Sequence, residues 1–582
     1  MKLTLFHCLA ALLALIPAVA LADRDARRPN VLFVAIDDLN DWIGCLGGHP
    51  QTLTPNLDRL AASGVLFTNA HTAAAACNPS RTAVMTGLSP HRSGLYSNEQ
   101  KMREVLPDEP ILSQHFRDHG YWAGGSGKIL HYFIDAPSWD EYFPDKPGEN
   151  PFPDTYYPEK RPVSLPRAGA WQYVETDWGA MPVSDEEFGG DWSVTKWVGE
   201  QLSQEHDRPF FLACGIYRPH EPWFVPEKYF EPFPLEEIQL PPGYQADDLD
   251  DLPPMGVKTG RNRYFAHILE CDQWKQGVQG YLASIHFADA MLGRVLDALD
   301  SGPNAENTIV VLWSDHGWHL GEKEHWQKFT AWRACTRIPL MFRVPAGIAP
   351  GLPEGSRAGS VCDRPVDLLG IFPTLTELAG IPSKQNVDGP SLVPLLKNPE
   401  ANWDHVALTF LHEPGSFGLS ADHWRYIHYH NGDEELYDIQ TDPHEWTNLA
   451  ADPAHAGKLD ELRSLAPQPG DFAPKKEASV GSLDSLTWHP AVPGVNPPAS
   501  HPDGANFQIV LVNQRDRPVE LHWIDRKGNA KSYGVIGAGK AREQSTRPGA
   551  VWQIREVAGA GGKPLGHFVV RDRRARAEIP GE

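Results

Sequence analysis

The sequence predicts an α/β sandwich around a large, mostly parallel sheet, followed by a smaller antiparallel subdomain and an appended all-β sandwich. Apolar, β-branched runs alternate with amphipathic helical runs from about residue 30 to residue 350. That is the pattern of a parallel sheet covered by helices on both faces. Acids and histidines stand directly after several of the runs: Asp37, Asp38, His220, Asp315 and His316. Open α/β sheets take their ligands at the carboxyl ends of strands. Beyond about residue 400 the apolar runs shorten and alternate, with turn residues between them, as in antiparallel sheets.

The elements follow in order. "MKLTLFHCLAALLALIPAVALAD" has a lysine, an apolar run and a small-residue cleavage site. It reads as a signal peptide over 1–22, with an uncleaved anchor as the rival, and it implies an exported, periplasmic or secreted protein. "NVLFVAIDD" (30–38) is a buried strand ending in two acids. "TPNLDRLAASG" (54–64) is a helix with a Thr cap, an early Pro and a closing Gly. "VLFTNAH" is a strand, and "PSRTAVMTG" opens a helix with Pro79 near its start. "PILSQHFRDHG" and "YWAGGSGK" give a helix and a strand, and "PFFLACGIYRPH" (209–220) a strand that leads to His220. A long amphipathic helix covers 279–302, "NTIVVLWSDHG" (307–317) is a strand ending at Asp315 and His316, and "RIPLMFRVPAG" is one more. This α/β domain spans 23–400, with two inserts rich in Pro and aromatics, 136–185 and 222–265, expected as ordered loops over the sheet edge. The antiparallel subdomain covers 401–465, a Pro/Ser-rich linker 466–504, and a small all-β domain 505–582.

The 582 residues are 41% hydrophobic and 22% charged, with a formal net charge of −23. Such acidity argues against nucleic acid and anionic membranes as partners. It would repel an anionic substrate too, so an anion site must be a local cluster of basic groups. Once Cys8 leaves with the signal, six scattered cysteines remain, with no CxxC spacing for zinc or redox chemistry. One or two disulfides stay open in an exported chain.

Asp37, Asp38, Asp315 and His316 offer three carboxylates and one imidazole at the strand ends. That donor set fits a hard cation, Ca²⁺ first, with Mg²⁺ or Mn²⁺ as rivals, and fits zinc poorly. Taken alone, adjacent acids are commonly just solvated. Cys77 stands at a helix start, where anions are favoured, with Arg81 one turn on; a lone cysteine there is more often packing. Lys128 and His131 in "GSGKILH" and Lys328 in "GEKEHWQKFT" also have surface readings, and His220 in "YRPHEPW" has a turn reading.

As an ordered set these segments are specific. "CNPSR" followed by "TAVMTGLSPHRSGLY" resembles the signature of the type I sulfatases, in which Cys-x-Pro-Ser-Arg is converted to Cα-formylglycine (3-oxoalanine). "PNVLFVAIDDLN", "GKILH", "YRPHEPW", "WSDHGWHLGEKEHWQK" and "ELYDIQTDPHEWTNLA" resemble the same family in the same order, over residues 29–452. The resemblance is nearest to the iduronate-2-sulfatase-like branch, since His316 stands where many sulfatases have Asn. It implies the alkaline-phosphatase-like sulfatase sandwich. It also implies hydrolysis of a sulfate ester on a carbohydrate, exo-acting on a sulfated glycan, 2-O-sulfated uronic acid among the candidates.

The roles implied by the resemblance are these. Cys77, oxidised by a formylglycine-generating enzyme, becomes a hydrated aldehyde; one hydroxyl attacks sulfur, and the second then expels sulfate. Asp37, Asp38, Asp315, His316 and the modified Cys77 hold one Ca²⁺. Arg81, Lys128 and His131 hold the formylglycine hydroxyls. Lys328 and His220 grip the sulfate, and His220 protonates the leaving alcohol. The alternative is a phosphonate or phosphate monoester hydrolase of the alkaline phosphatase superfamily. The C-terminal "PVELHWIDRKGNAKSYGVIGAGKAREQSTRPGAVWQI" resembles a von Hippel–Lindau β-domain, with "WIDRKG" and a late "GAVW"; it implies an accessory module that binds or stabilises.

Overall fold

A computed structural model describes residues 28–146, 151–156, 165, 176–476, 483, 485–502, 507–557, 562–571 and 574–581. The expected signal peptide and much of the 136–185 insert lie outside the described residues.

Eight strands build the central sheet: β1 Asn30–Ile36, β2 Val65–Phe67, β3 Trp122–Gly127, β4 Glu141–Phe143, β5 Phe210–Ile216, β6 Thr308–Ser314, β7 Leu340–Arg343 and β8 Ser360–Cys362. Their order is β8-β2-β7-β6-β1-β5-β3-β4. β1 lies between β5 and β6, parallel to both, with Ile36 level with Ile216 and Ser314. Three strand ends therefore reach one edge together. The sheet is mostly parallel, as the sequence predicts; of these eight strands β7 alone is reversed, running antiparallel to both β2 and β6.

β1 is fully buried, as a central strand with both faces covered must be. Side chains alternate across the pleat. Val31, Phe33 and Ala35 enter one core with α2 (Cys77–Thr86), while Leu32, Val34 and Ile36 enter the other. The second core also receives α1 (Pro55–Ser63), α3 (Asp191–Leu202) and the long α4 (Trp274–Ser301). The 222–265 insert is less loop-like than expected, since it holds a strand Trp223–Pro226 and a helix Pro254–Gly260.

The antiparallel subdomain is a meander of β9 (Ala407–Phe410), β10 (Phe417–Ala421), β11 (Trp424–His428) and β12 (Glu434–Asp438). α5 (Ala456–Leu465) closes its core with Leu459 and Leu462. The C-terminal module packs a five-stranded sheet on a three-stranded one, around Leu511, Leu521, Trp552, Ile554 and Phe568.

The stretch 466–504 is more than the linker that its Pro and Ser content suggests. Phe472 packs on His91, Phe410 and Phe417. Tyr96 Oη donates to the Ala473 carbonyl at 3.0 Å, and Gln100 Nε2 to that of Lys476 at 2.8 Å. Farther on, Leu486 enters the C-terminal core and His489–Pro490 adds a strand to its sheet. Two aromatic anchors, Phe472 and then Trp488 against Phe568, hold the described parts of a segment whose composition is otherwise that of a spacer. All six described cysteines are free, so no disulfide forms among them.

Candidate active site

The site lies where β1, β5 and β6 end. Asp37 and Asp38 follow β1 directly; the Asp37 N–H still bonds to the Ile216 carbonyl at 3.0 Å, while Asp38 takes a positive φ of 58°. That break in the pleat lets two adjacent acids face one site. The Asp38 N–H donates to Asp315 Oδ1 at 3.0 Å, tying β1 to the end of β6. Lys128 leaves β3 through a tight crossing. Gly127 has φ 74°, and a Cβ there would lie 2.0 Å from the Gly215 carbonyl oxygen; a Cβ on Gly215 would lie 2.4 Å from the Lys128 backbone. Only glycine fits both positions.

Cys77 is the first residue of α2 and has no exposed surface. Its Sγ is 3.0 Å from Lys328 Nζ and 3.2 Å from His316 Nε2. Arg81, one turn on and fully buried, donates from Nε to Asp315 Oδ2 at 2.7 Å and from Nη2 to Asp37 Oδ1 at 3.0 Å. Its Nη1 reaches the Lys128 carbonyl. Lys128 Nζ donates to Asp37 Oδ2 at 2.5 Å, and Lys328 Nζ to Asp38 Oδ1 at 2.8 Å. His220 Nε2 stands 3.8 Å from Asp38 Oδ2. His131 borders the cluster, half-buried, with its Nδ1 buried and unbonded. The structure thus brings together every residue that the sequence singled out.

The charges are strongly coupled. Burial raises the Cys77 thiol, but Lys128, Lys328 and His316 more than reverse this and hold it well below its ordinary value. Burial holds Asp38 above the usual carboxylate range. Asp315 is also buried, yet Arg81 and His316 keep it below that range. Burial opposes charge on His316, and Asp315 overcomes it, lifting the imidazole to about 9. Lys328 is held above its ordinary value by Asp38 against the same burial. Burial pushes His131 down to about 4.

Two donor groupings could hold a cation: Asp38, Cys77, Asp315 and His316, and Asp37, Asp38 and His220, each with ligand atoms within 4.8 Å of one another. Asp38 Oδ2 is buried without a hydrogen-bond partner. Clustered carboxylates with one buried, unbonded oxygen fit a hard divalent cation. Asp37 differs from the sequence expectation in emphasis, because both its oxygens accept from Arg81 and Lys128.

The sequence profile of the Sulfatase family matches residues 29–381, and that of the N-sulphoglucosamine sulphohydrolase C-terminal region matches 321–466. The chain belongs to the sulfatase family. The protein is a sulfuric ester hydrolase with the alkaline-phosphatase-like sulfatase fold. A sulfatase of Formosa agariphila is 41% identical over 460 residues, covering 76% of this chain and 87% of that protein. The iduronate 2-sulfatase of Mus musculus is 31% identical over 426 residues, covering 67% of this chain and 76% of that one. Among solved structures, a 2-O GAG sulfatase superposes with a TM-score of 0.56 at 23% identity, over 75% of this chain and 91% of that one. The phosphonate monoester hydrolase of Agrobacterium radiobacter gives 0.60 at 23%, over 75% and 95%. These two likenesses are of fold.

Sequence reasoning missed several supports of the sulfatase site. The Thr72 and Ser80 hydroxyls both donate to the Asp315 carbonyl. Tyr217 stacks on His220 with centroids 4.7 Å apart. His325 Nε2 lies 2.9 Å from the Lys328 carbonyl, and its Nδ1 3.0 Å from that of Thr259. Ser80, Tyr217 and His325 stand within the quoted segments; only the fold shows what they touch.

Proposed function

We propose that this sulfatase hydrolyses a sulfate ester on a carbohydrate, with formylglycine made from Cys77 by a formylglycine-generating enzyme. The observation that carries the reading is the surroundings of Cys77: a buried sulfur between Lys328 and His316, at a helix start, beside four acids and imidazoles able to hold a cation. The Cys77 sulfur stands in for the oxygen that oxidation and hydration would put there. Formylglycine supplies a hydrated aldehyde that can attack sulfur and later release sulfate, which a plain alcohol cannot do. Asp37, Asp38, Asp315 and His316 would hold a Ca²⁺, which would supply positive charge to lower the nucleophile's pKa and neutralise the transferring group.

The remaining work falls to the chain's own side chains. Arg81 fixes Asp37 and Asp315 at once, so the two strand ends keep one spacing. Lys128 and Lys328 bring cations into a largely buried site, where nearby charge outweighs the screened acidity of the distant surface. His220 Nδ1–H donates to the Glu221 carbonyl at 2.6 Å, which leaves Nε2 free to carry the proton for the leaving alcohol. Burial opposes charge on His220, but Asp38 raises its affinity for that proton, as a general acid requires.

The likeness to iduronate 2-sulfatases supports a 2-O-sulfated uronic acid at the non-reducing end of a glycan as the first substrate to try. We read the protein as exported, and its C-terminal β sandwich as a von Hippel–Lindau-like accessory module. The test is a panel of defined sulfated oligosaccharides, assayed for free sulfate beside the matching phosphate esters. Sulfate release from the sugar esters is expected. Faster release of phosphate would overturn the reading in favour of a phosphonate or phosphate monoester hydrolase.

A further inference from the structure

We propose that the open edge of the C-terminal sandwich, at Lys531, Tyr533 and Arg542, binds a sulfated polysaccharide chain and holds it to the enzyme. The proposal rests on the sulfated-carbohydrate reading and adds a second place of contact. Residues 505–582 carry fourteen Lys and Arg against eight Asp and Glu, a net of +6. The first 504 residues therefore carry −29 of the total −23. Positive charge gathered on one module of an otherwise acidic chain is the electrostatic footprint of a polyanion site. Screening confines it to about 8 Å at physiological salt, so the acidic body does not cancel it.

The geometry gives that charge a definite place. The strand Ala530–Ile536 is the edge of the five-stranded sheet, and Ala541–Thr546 is an edge of the three-stranded one. Arg542 ties them together: its Nη1 donates to the Tyr533 carbonyl at 2.8 Å and its Nη2 to Gln544 Oε1 at 3.1 Å. Tyr533 is 38% exposed, and its ring meets that of buried Trp552 edge-on at 5.0 Å. Trp552 is itself fixed by a bond from Nε1 to Thr546 Oγ1 at 2.9 Å. Lys531 Nζ lies 5.8 Å from the Tyr533 ring centre.

Elsewhere in the module Arg574 is paired with Glu543 and Arg576 with Glu578. Among the described residues Lys531 and Arg542 form no ion pair. An exposed, braced aromatic ring flanked by two unpaired cations suits a sugar ring that carries sulfates: the apolar face lies on Tyr533 and the anions meet Lys531 and Arg542. A membrane surface calls for a larger basic cluster.

The test uses the full chain in native gels containing dextran sulfate, with neutral dextran as the control. The wild type is expected to be retarded by dextran sulfate only. Lys531→Glu with Arg542→Glu should weaken the retardation about tenfold or more, and Tyr533→Ala should weaken it less. Turnover of a small aryl sulfate should not change in either variant. Lys531→Ala alone, an exposed change, guards against misfolding and should give an intermediate loss. Undiminished retardation in the double variant would overturn the proposal. So would equal competition by duplex DNA or by phosphatidylglycerol vesicles. Loss of aryl sulfate turnover in the wild type with retardation intact would count against the catalytic reading alone.

Discussion

The sheet edge of the α/β body and the open edge of the C-terminal sandwich both gather cations, in opposite ways. At the sheet edge Arg81 and Lys128 have no exposed surface, and each is matched to a carboxylate within 3.0 Å. At the sandwich edge Lys531 is exposed and has no such partner. Buried charges must be paired and bonded to be tolerated, and their positions are then fixed. Exposed ones stay mobile and hydrated, and act by attraction over a short range. The first arrangement suits chemistry on one ester, the second suits retention of a polymer.

The largest effect expected is on the buried side of this contrast. Chelation with EGTA should reduce sulfate release to background, and added Ca²⁺ should restore it; turnover that survives exhaustive chelation would remove the cation from the account. Lys328→Ala should lower kcat about 100-fold or more, because a donor to the transferring group is lost, and should also lower the melting temperature, because buried Asp38 loses its partner. A change confined to KM would place Lys328 in binding alone.

Gly215→Ala tests the crossing that aims Lys128. The added Cβ would meet Lys128 backbone at 2.4 Å, so a loss of about 1–3 kcal/mol in urea unfolding is expected, along with lower kcat. Full stability would show that the crossing has slack.

The last effect is one of pH. His49 Nε2–H faces the Gln239 carbonyl at 3.2 Å, and its Nδ1 accepts from the Gln51 N–H at 3.2 Å, which fixes the neutral form. Burial accordingly lowers it to about 4 from an ordinary value of 6.5. The unfolded chain takes up that proton first, so the contribution of His49 to stability falls as pH drops from 6.5 towards 4 and is level below. His49→Gln should melt with a shallower pH dependence across that window; parallel curves would refute the assignment.

Much of this was legible in the sequence, for physical reasons. β1 has no exposed residue, so it had to read as a continuous apolar run, and the chemistry had to begin where it ends, at Asp37. The runs around Cys77, Lys128, His220 and Lys328 kept their order because each strand end supplies one group to one edge. What stayed hidden depends on contacts between distant segments. An apolar run has no direction, so "RIPLMFRVPAG" did not reveal that β7 is reversed. The pairing of Asp37 with both Arg81 and Lys128 joins residues 44 and 91 positions apart. The anchoring of the described parts of 466–504 turns on Phe472 and Trp488, two aromatics in a stretch rich in Pro, Ala and Gly.

In the proposed function Cys77 is the precursor of the nucleophile. Counting moles of sulfate released per mole of enzyme from a sulfated disaccharide, for the wild type and Cys77→Ser, tests it directly. Many turnovers are expected for the wild type and at most one for the serine variant, whose sulfate ester cannot be expelled. A Cys77→Ser enzyme that turns over at the wild-type rate would contradict it.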